Sequence, residues 1–233
     1  MVMHANHTIT NVVVAGDMSD RARTYAAEKI ADLARFAPLP VLSAHVRIFS
    51  TTHRDPATRF AVEVNLDVPG RPIRAQVAAA NLHEAIDLAR DRLRRKLSQL
   101  GRHPSHQGGR QRAHRPGYLP RPTGEREVVR RKSFEPVRST ADEAMFDLEM
   151  MDYDFLLYTD AVSGTDSVVS RGGSKGYQVT ALAQAAALTL VAAKEVLDLT
   201  DAPFVFFADV QTGRGNVLYR RHDGHYGLIT PAA

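Results

Sequence analysis

One stretch of this chain occurs twice. Shifting the sequence by 49 positions lays residues 142–180 on residues 191–229 without a gap, and nine of the 39 pairs are identical. They are Ala144/Ala193, Leu148/Leu197, Asp152/Asp201, Phe155/Phe204, Asp160/Asp209, Gly164/Gly213, Val168/Val217, Arg171/Arg220 and Tyr177/Tyr226. Each copy reads as a helix, an apolar strand, a glycine turn and a hairpin. The strands are Phe155-Leu156-Leu157-Tyr158 and Phe204-Val205-Phe206-Phe207. Identity this low leaves coincidence as the alternative; the absence of gaps and the shared order of elements favour duplication. The second copy adds a run from Ala181 to Leu197 that is apolar nearly all round, which predicts a helix buried on several sides.

The chain has 233 residues and no cysteine, so it has room for two cores and has no disulfide, thiolate metal site or thiol nucleophile. No apolar run approaches the ~20 residues needed to cross a bilayer. The first eleven residues lack a basic stretch followed by an apolar one. Both observations predict a cytoplasmic protein that is not membrane-bound. The formal net charge of +4 hides a division. Residues 1–134 carry 23 Lys/Arg against 12 Asp/Glu, a net of +11, and residues 135–233 carry 7 against 14, a net of −7. The front part suits a polyphosphate surface, which would repel the rear part.

The pattern predicts an α+β protein in three segments. Residues 1–100 form a β-α-β-β-β-α unit with two helices on one face of a four-stranded sheet. A first strand holds Ile9, Val12, Val13 and Val14. Asp17 or Ser19 caps a helix to about Phe36, whose Ala22, Ala26, Ile30 and Leu33 share a face. Ala44, Val46 and Ile48, then Phe60 to Val68, then Ile73, Ala75 and Val77 alternate as half-buried strands. A type II turn is predicted at Val68-Pro69-Gly70-Arg71. Asn81 caps a second helix with the stripe Leu82, Ile86, Ala89, Leu93, Leu97 and Leu100. Residues 101–133 read as a flexible basic linker, too poor in aliphatic side chains to fold alone. Residues 134–233 hold the repeats, about 134–180 and 181–230, and the acidic C-terminal pair is predicted to fold on itself within one chain. Its pairing surface is predicted at Phe155, Leu157, Phe204, Phe206, Val217, Tyr219 and Tyr226.

No catalytic constellation is visible, so the chain reads as a binding protein with no metal and no cofactor. His103 and His106 lie in the linker without a third ligand, and His222 and His225 flank a turn. Asp152 and Asp154 sit where a helix turns into a strand, a place that favours Asp for local hydrogen bonds. Gly172-Gly173 and Gly213-Arg214-Gly215 lack the spacing of a phosphate loop.

The cations are the better lead. Arg90, Arg92, Arg94, Arg95 and Lys96 crowd the second helix away from its leucine stripe. Arg21, Arg23, Lys29 and Arg35 lie on or just after the first helix, and Arg47, Arg54, Arg59, Arg71 and Arg74 on the strands and their loops. In the linker, Arg102, Arg110, Arg112 and Arg115 are candidate RNA contacts. Asp87 and Asp91 are placed to pair with part of this charge, so a solvated, salt-bridged helix face is the bland alternative. A spread of cations over a whole domain with few aromatics between them suits phosphate and shape recognition of structured RNA.

The stretch Val217-Leu218-Tyr219-Arg220-Arg221-His222-Asp223-Gly224-His225-Tyr226-Gly227-Leu228-Ile229 is the most specific motif. It resembles the V-Y-R-R-x-D-G-x-Y-G-L-I signature of long-form ribosome hibernation-promoting factors, here of an actinobacterial type with a duplicated C-terminal domain. The first copy has lost it. Gly16, Tyr25, Lys29 and Ala85-Ile86-Asp87 match positions of that family's front domain, whereas Asn81-Leu82-His83 departs from its Asp-Met-Tyr. Arg131-Lys132-Ser133-Phe134-Glu135-Pro136 and Asp142-Glu143-Ala144 are similar to the start of its C-domain. The resemblance implies a front domain in the cleft of the 30S subunit of the 70S ribosome, on 16S rRNA, excluding messenger and transfer RNA under stress or dormancy. It also implies a C-domain that joins two ribosomes as 100S particles. With the repeat paired internally, single 70S ribosomes are the expected target, with ribosomal proteins as further partners of the C-domain. The alternatives are a general RNA-binding adaptor with an acidic protein-interaction domain, and a small enzyme using the C-terminal cleft.

Overall fold

The computed structural model describes residues 12–15, 18–50, 58–69, 72–100, 118–119, 121–172, 176–200 and 202–232. The chain divides into two compact units, one carrying the first four strands and two helices, the other nearly all the rest.

The first unit is the β-α-β-β-β-α arrangement that the alternation predicts. Its strands are β1 (Val12–Ala15), β2 (Ser43–Ser50), β3 (Phe60–Asp67) and β4 (Ile73–Ala79), and its helices are α1 (Asp20–Ala31) and α2 (Leu82–Gln99). The sheet order is β1-β2-β3-β4, with β1 parallel to β2 and the remaining pairs antiparallel. The Ser19 hydroxyl accepts from the Ala22 N–H at 3.3 Å, and the Asn81 carbonyl oxygen from the Glu84 N–H at 2.8 Å, so each helix starts at a side-chain cap. α1 gives way to a 3-10 turn at Asp32–Phe36. Period two sends Ala44, Val46, Ile48, Val62, Val64, Leu66, Ile73, Ala75 and Val77 into one core. Period 3.6 brings Ala26, Ile30, Leu33, Ala85, Ile86, Ala89, Leu93 and Leu97 down upon it. Each fully buried Leu or Ile contributes about 1.5–3 kcal/mol. Ile9, Asp17 and the turn residues Gly70 and Arg71 lie outside the described residues.

The second unit holds β5 (Val128–Phe134), then two copies of one β-α-β-β-β module. The first copy is β6 (Arg138–Ser139), α3 (Ala141–Met150), β7 (Phe155–Asp160), β8 (Asp166–Arg171) and β9 (Tyr177–Ala181). The second is β10 (Ala186–Leu188), α4 (Leu190–Thr200), β11 (Phe204–Asp209), β12 (Gly215–Arg220) and β13 (Tyr226–Pro231). β7 and β8 coincide with β11 and β12 under the 49-residue shift. The sheets run β6-β7-β8-β9 and β10-β11-β12-β13-β5.

Most of the nine identities mark positions where geometry leaves little choice. Ala144/Ala193 and Leu148/Leu197 are fully buried helix residues. Asp160 Oδ1 accepts from the Val162 and Ser163 N–H groups, and Asp209 Oδ1 from those of Gln211 and Thr212. Those loops close through Gly164 and Gly213, at φ +69° and +68°. Arg171 donates to the Tyr153 carbonyl, in the turn after α3, and Arg220 to the Leu197 carbonyl in the last turns of α4, both at 2.9 Å, so each arginine ties the sheet to the region where its helix ends. Asp201 lies outside the described residues.

Two expectations are corrected. The apolar run from Ala181 is not one helix: Leu182–Gln184 is a 3-10 turn, Ala186–Leu188 is β10 paired in parallel with β11, and α4 starts only at Leu190. Sheet pairing overrides the helix propensity of alanine there. The segment read as linker up to residue 133 is in part sheet. Val128–Phe134 pairs in parallel with β13, and the Leu119 N–H donates to the His222 carbonyl at 2.8 Å. Its cationic composition looked unable to fold because the partner strand lies almost 100 residues away. Residues 101–117, with Arg102, Arg110, Arg112 and Arg115, lie outside the described residues.

Candidate nucleic-acid interface

α2 carries its cations on both flanks of the buried stripe. On one flank, the Arg94 guanidinium lies 4.4 Å from the centroid of the Phe36 ring. Arg35, next to that ring, pairs with Asp32 at 3.2 Å, both well exposed. On the other flank, Arg92 donates to the Gln76 carbonyl at 2.7 Å and Lys96 to the Arg74 carbonyl at 2.5 Å. Both carbonyls belong to the edge strand β4, so these two cations cap backbone groups that no strand serves. Arg95 points to solvent, and Arg90 contacts Asp91 at 3.4 Å.

α1 contributes Arg21 and Arg23, both exposed. Lys29 is committed to a cluster between the helices: its ammonium lies 3.4 Å from Asp87 and 5.1 Å from the Tyr25 ring centroid, and the Tyr25 hydroxyl donates to Asp87 at 2.9 Å. The Tyr25 hydrogen bond and then the Asp87 charge raise the Lys29 pKa above its ordinary value. On the sheet face away from the helices, His45 and Arg47 are exposed on β2, with the Arg47 guanidinium 5.7 Å from the Phe49 ring centroid. Arg59, just before β3, lies 5.4 Å from the Phe60 ring centroid. Arg74 is bound to Glu63 at 2.9 Å, and Asn65 donates to the same carboxylate at 3.2 Å. Burial alone would raise the Glu63 pKa; Arg74 and Asn65 outweigh it and hold the carboxyl below its usual range.

The candidate cations therefore divide. Arg21, Arg23, Arg35, Arg47, Arg59, Arg94 and Arg95 are exposed on the helices, the sheet and the β2–β3 and α1–β2 connections. Lys29, Arg74, Arg92 and Lys96 hold groups of their own unit. Arg54 and Arg71 lie outside the described residues. The Phe36, Phe49 and Phe60 rings beneath three of the arginines are a feature that reading charge alone missed; each aromatic adjoins or packs under a cation, and adjacency in sequence was the available signal for two of them. Among the described residues no three His, Cys, Asp or Glu gather as a metal site, and no helix is long and apolar enough to cross a membrane. His225 Nδ1 accepts from the Glu127 N–H at 3.2 Å, and His222 stacks on Tyr118.

In the second unit, Phe155, Leu157, Phe204, Phe206 and Val217 meet in one cluster with Val168 and Ile229. Tyr219 reaches it through Phe155, with ring centroids 5.6 Å apart. Tyr226, expected among these residues, lies instead in the core of the second repeat, where its hydroxyl donates to Asp198. Asp198 also accepts from Arg126 at 2.7 Å. Tyr226 is drawn inward because its ring finds an apolar core and its hydroxyl a half-buried acceptor. Sequence reasoning missed Asp166, whose carboxylate takes the Arg214 guanidinium at 2.8 Å and the Gly215 N–H at 2.8 Å. Nothing in its local sequence pairs it with residues 48 and 49 positions away.

Residues 10–102 match the family described as Sigma 54 modulation protein / S30EA ribosomal protein. Residues 123–179 and again 180–228 match the family described as Sigma 54 modulation/S30EA ribosomal protein C terminus. The chain is 34% identical over 213 residues to a dormancy associated translation inhibitor of Mycobacterium tuberculosis, covering 81% of this chain and 76% of that protein. It is 27% identical over 231 residues to a ribosome hibernation promotion factor of Deinococcus radiodurans, covering 91% and 93%. Among solved structures, the N-terminal domain of Thermus thermophilus Protein Y aligns at 26% identity and a TM-score of 0.32, over 40% of this chain and 97% of that one.

Proposed function

The chain belongs to the Sigma 54 modulation/S30EA ribosomal protein family, and from that premise we propose that it is a ribosome hibernation factor, a binding protein and not an enzyme. Its first unit binds 16S rRNA in the decoding region of the 30S subunit, excludes messenger and transfer RNA, and so inhibits translation while protecting idle ribosomes. The observation that carries this reading is the distribution of seven exposed arginines, at 21, 23, 35, 47, 59, 94 and 95, over both helices and the sheet of a single rigid α/β unit. Cations held apart on a fixed frame fit a shaped phosphate surface better than one flexible strand. The names of two relatives, a translation inhibitor of dormancy and a hibernation promotion factor, agree with it.

The second unit completes the proposal. In this reading its repeats satisfy each other within one chain, so the protein stabilises single 70S ribosomes and does not bridge two as 100S particles. The linkage gives an effective concentration of order millimolar, which outcompetes another chain in dilute solution. Residues 135–233 of this unit, with a net charge of −7, then face ribosomal proteins, since rRNA repels them.

The test is co-sedimentation with 70S ribosomes under excess competitor RNA, followed by gradient profiles. Retention on 70S without a 100S peak is the expected result. Loss to competitor RNA would convert the reading to the general RNA-binding adaptor, and a 100S peak that depends on the second unit would remove the restriction to single ribosomes.

A further inference from the structure

Residues related by the 49-residue shift touch each other. The rings of Phe155 and Phe204 pack with centroids 4.6 Å apart and planes tilted by 35°. Val168 and Val217 share one buried cluster. Asp166 Oδ2 accepts from the N–H of its own counterpart, Gly215, at 2.8 Å. Equivalent residues of two copies meet only where a twofold axis relates the copies, here a local axis within one chain. At such an axis a residue of a symmetric pair meets its own equivalent.

The two copies differ at that point, and the difference is complementary. The first copy has Thr165-Asp166 where the second has Arg214-Gly215. Asp166 is 3% exposed and binds Arg214 through both oxygens, at 2.8 and 3.1 Å. A Cβ on Gly215 would stand 2.8 Å from the Asp166 Cβ and 2.7 Å from the Phe206 ring, so only glycine admits the carboxylate. Two first copies together would bury a carboxylate against a carboxylate with no cation in reach, which opposes ionisation of both. Two second copies would bring two guanidinium groups together with no carboxylate between them and would leave the glycine N–H groups without their acceptor. Only unlike copies satisfy every group.

We propose that Asp166, Gly215 and Arg214 are the specificity determinants of repeat pairing: a first repeat accepts only a second repeat, and a like repeat from another chain is refused. This deepens the proposed restriction to single ribosomes and rests on it for its cellular meaning, but concerns the free protein and is testable without ribosomes. The partner surface is thus a second repeat, normally the chain's own. A second chain gains access only by exchanging both repeats.

The experiment is a charge swap in the full chain, read as mass by sedimentation equilibrium. Asp166→Arg opposes two cations within its own chain, and Arg214→Asp opposes two carboxylates. Mixed in equal amounts, the two variants present matched unlike repeats only across chains, and the expected result is a doubling of mass that neither shows alone. Asp166→Arg with Arg214→Asp in one chain is expected to return to the single-chain mass and to recover part of the stability that each single variant loses, the Gly215 N–H still lacking its carboxylate acceptor. No rise in mass on mixing, or a combined variant as impaired as the single ones, overturns the proposal. A gentler probe guards against misfolding at the buried site, because the chain has no cysteine. Val168→Cys alone and Val217→Cys alone are expected to stay uncrosslinked under oxidation, and the two together to crosslink within one chain. Crosslinked two-chain species from either single cysteine overturn it. Failure of ribosome binding with the swap intact would instead strike the functional reading alone.

Discussion

Tyr219 on β12 faces Gly227 on β13 across the hairpin, and a Cβ at position 227 would stand 2.2 Å from the tyrosine ring. The ring occupies the space a side chain would take and covers backbone that a glycine leaves bare. The same two places in the first repeat hold Ser170 opposite Gln178. The first copy therefore changed both members of the pair, a small residue for the ring and a side chain for the glycine. Gly227→Ala is expected to destabilise the second unit by about 1–3 kcal/mol through overpacking. Gly227→Gln combined with Tyr219→Ser, which installs the first copy's pair, is expected to cost less than Gly227→Gln alone. Urea titration of the three variants measures this.

The Tyr25–Asp87 hydrogen bond joins α1 to α2 at 2.9 Å, with Asp87 43% exposed. Tyr25→Phe is expected to lower stability by about 0.5–1.5 kcal/mol, below the usual range for a bond to a charged acceptor because solvent screens this one. Asp87→Ala removes the partner of both Tyr25 and Lys29 and is expected to cost more stability while leaving RNA affinity the same or higher, since it frees a cation. Chemical denaturation and RNA binding, measured on the same variants, separate the two effects.

Acid is expected to loosen the second unit through Asp166. Burial pushes its pKa up, but the hydrogen bonds from Arg214 and Gly215 and the Arg214 charge outweigh burial, so the folded value lies below the ordinary one. A depressed carboxylate stabilises the fold above its unfolded pKa, about 3.9, and that contribution is lost as pH falls through the lower folded value. Asp166→Asn is expected to be less stable than wild type near neutrality and to lose less as pH falls from about 5 through the depressed folded value. Melting curves across that range decide it. A parallel loss in both proteins would show that this carboxylate does not drive the response.

RNA binding is expected to weaken steeply with salt, because phosphate contacts release counterions. Arg94→Ala and Arg95→Ala are each expected to lower the slope of log affinity against log salt by about one, with similar losses for any RNA of the same shape. Tyr25→Phe is expected to leave the slope unchanged. Filter binding or fluorescence anisotropy over a salt series checks both.

Local rules read the first unit well. Ser19 and Asn81 cap the helices they were assigned, and the alternations of β2 and of β3 from Val62 onward match their buried faces, whereas β4 is buried on both faces from Ala75 to Ala79. Such signals survive because each depends on neighbours within a few residues. Where the partner is distant, composition misled: Ala181 to Leu188 has helix-forming residues but lies partly in a sheet, and Val128–Phe134 has a linker's charge but pairs with β13. The candidate cations were all visible as charges; which face solvent and which serve β4 carbonyls or Asp87 was not.

The sequence by itself determined the front β-α-β-β-β-α unit, the 49-residue duplication with its turn glycines, and the division into a basic and an acidic part. Each is a matter of period, spacing or charge count, and these are properties of a chain before it folds. Only the tertiary structure decided that Phe155 meets Phe204, that Asp166 finds Arg214 and Gly215, and that Lys29 is engaged while Arg95 is exposed. Those outcomes depend on which distant surfaces come together to exclude water and satisfy buried polar groups, and no short-range pattern encodes that.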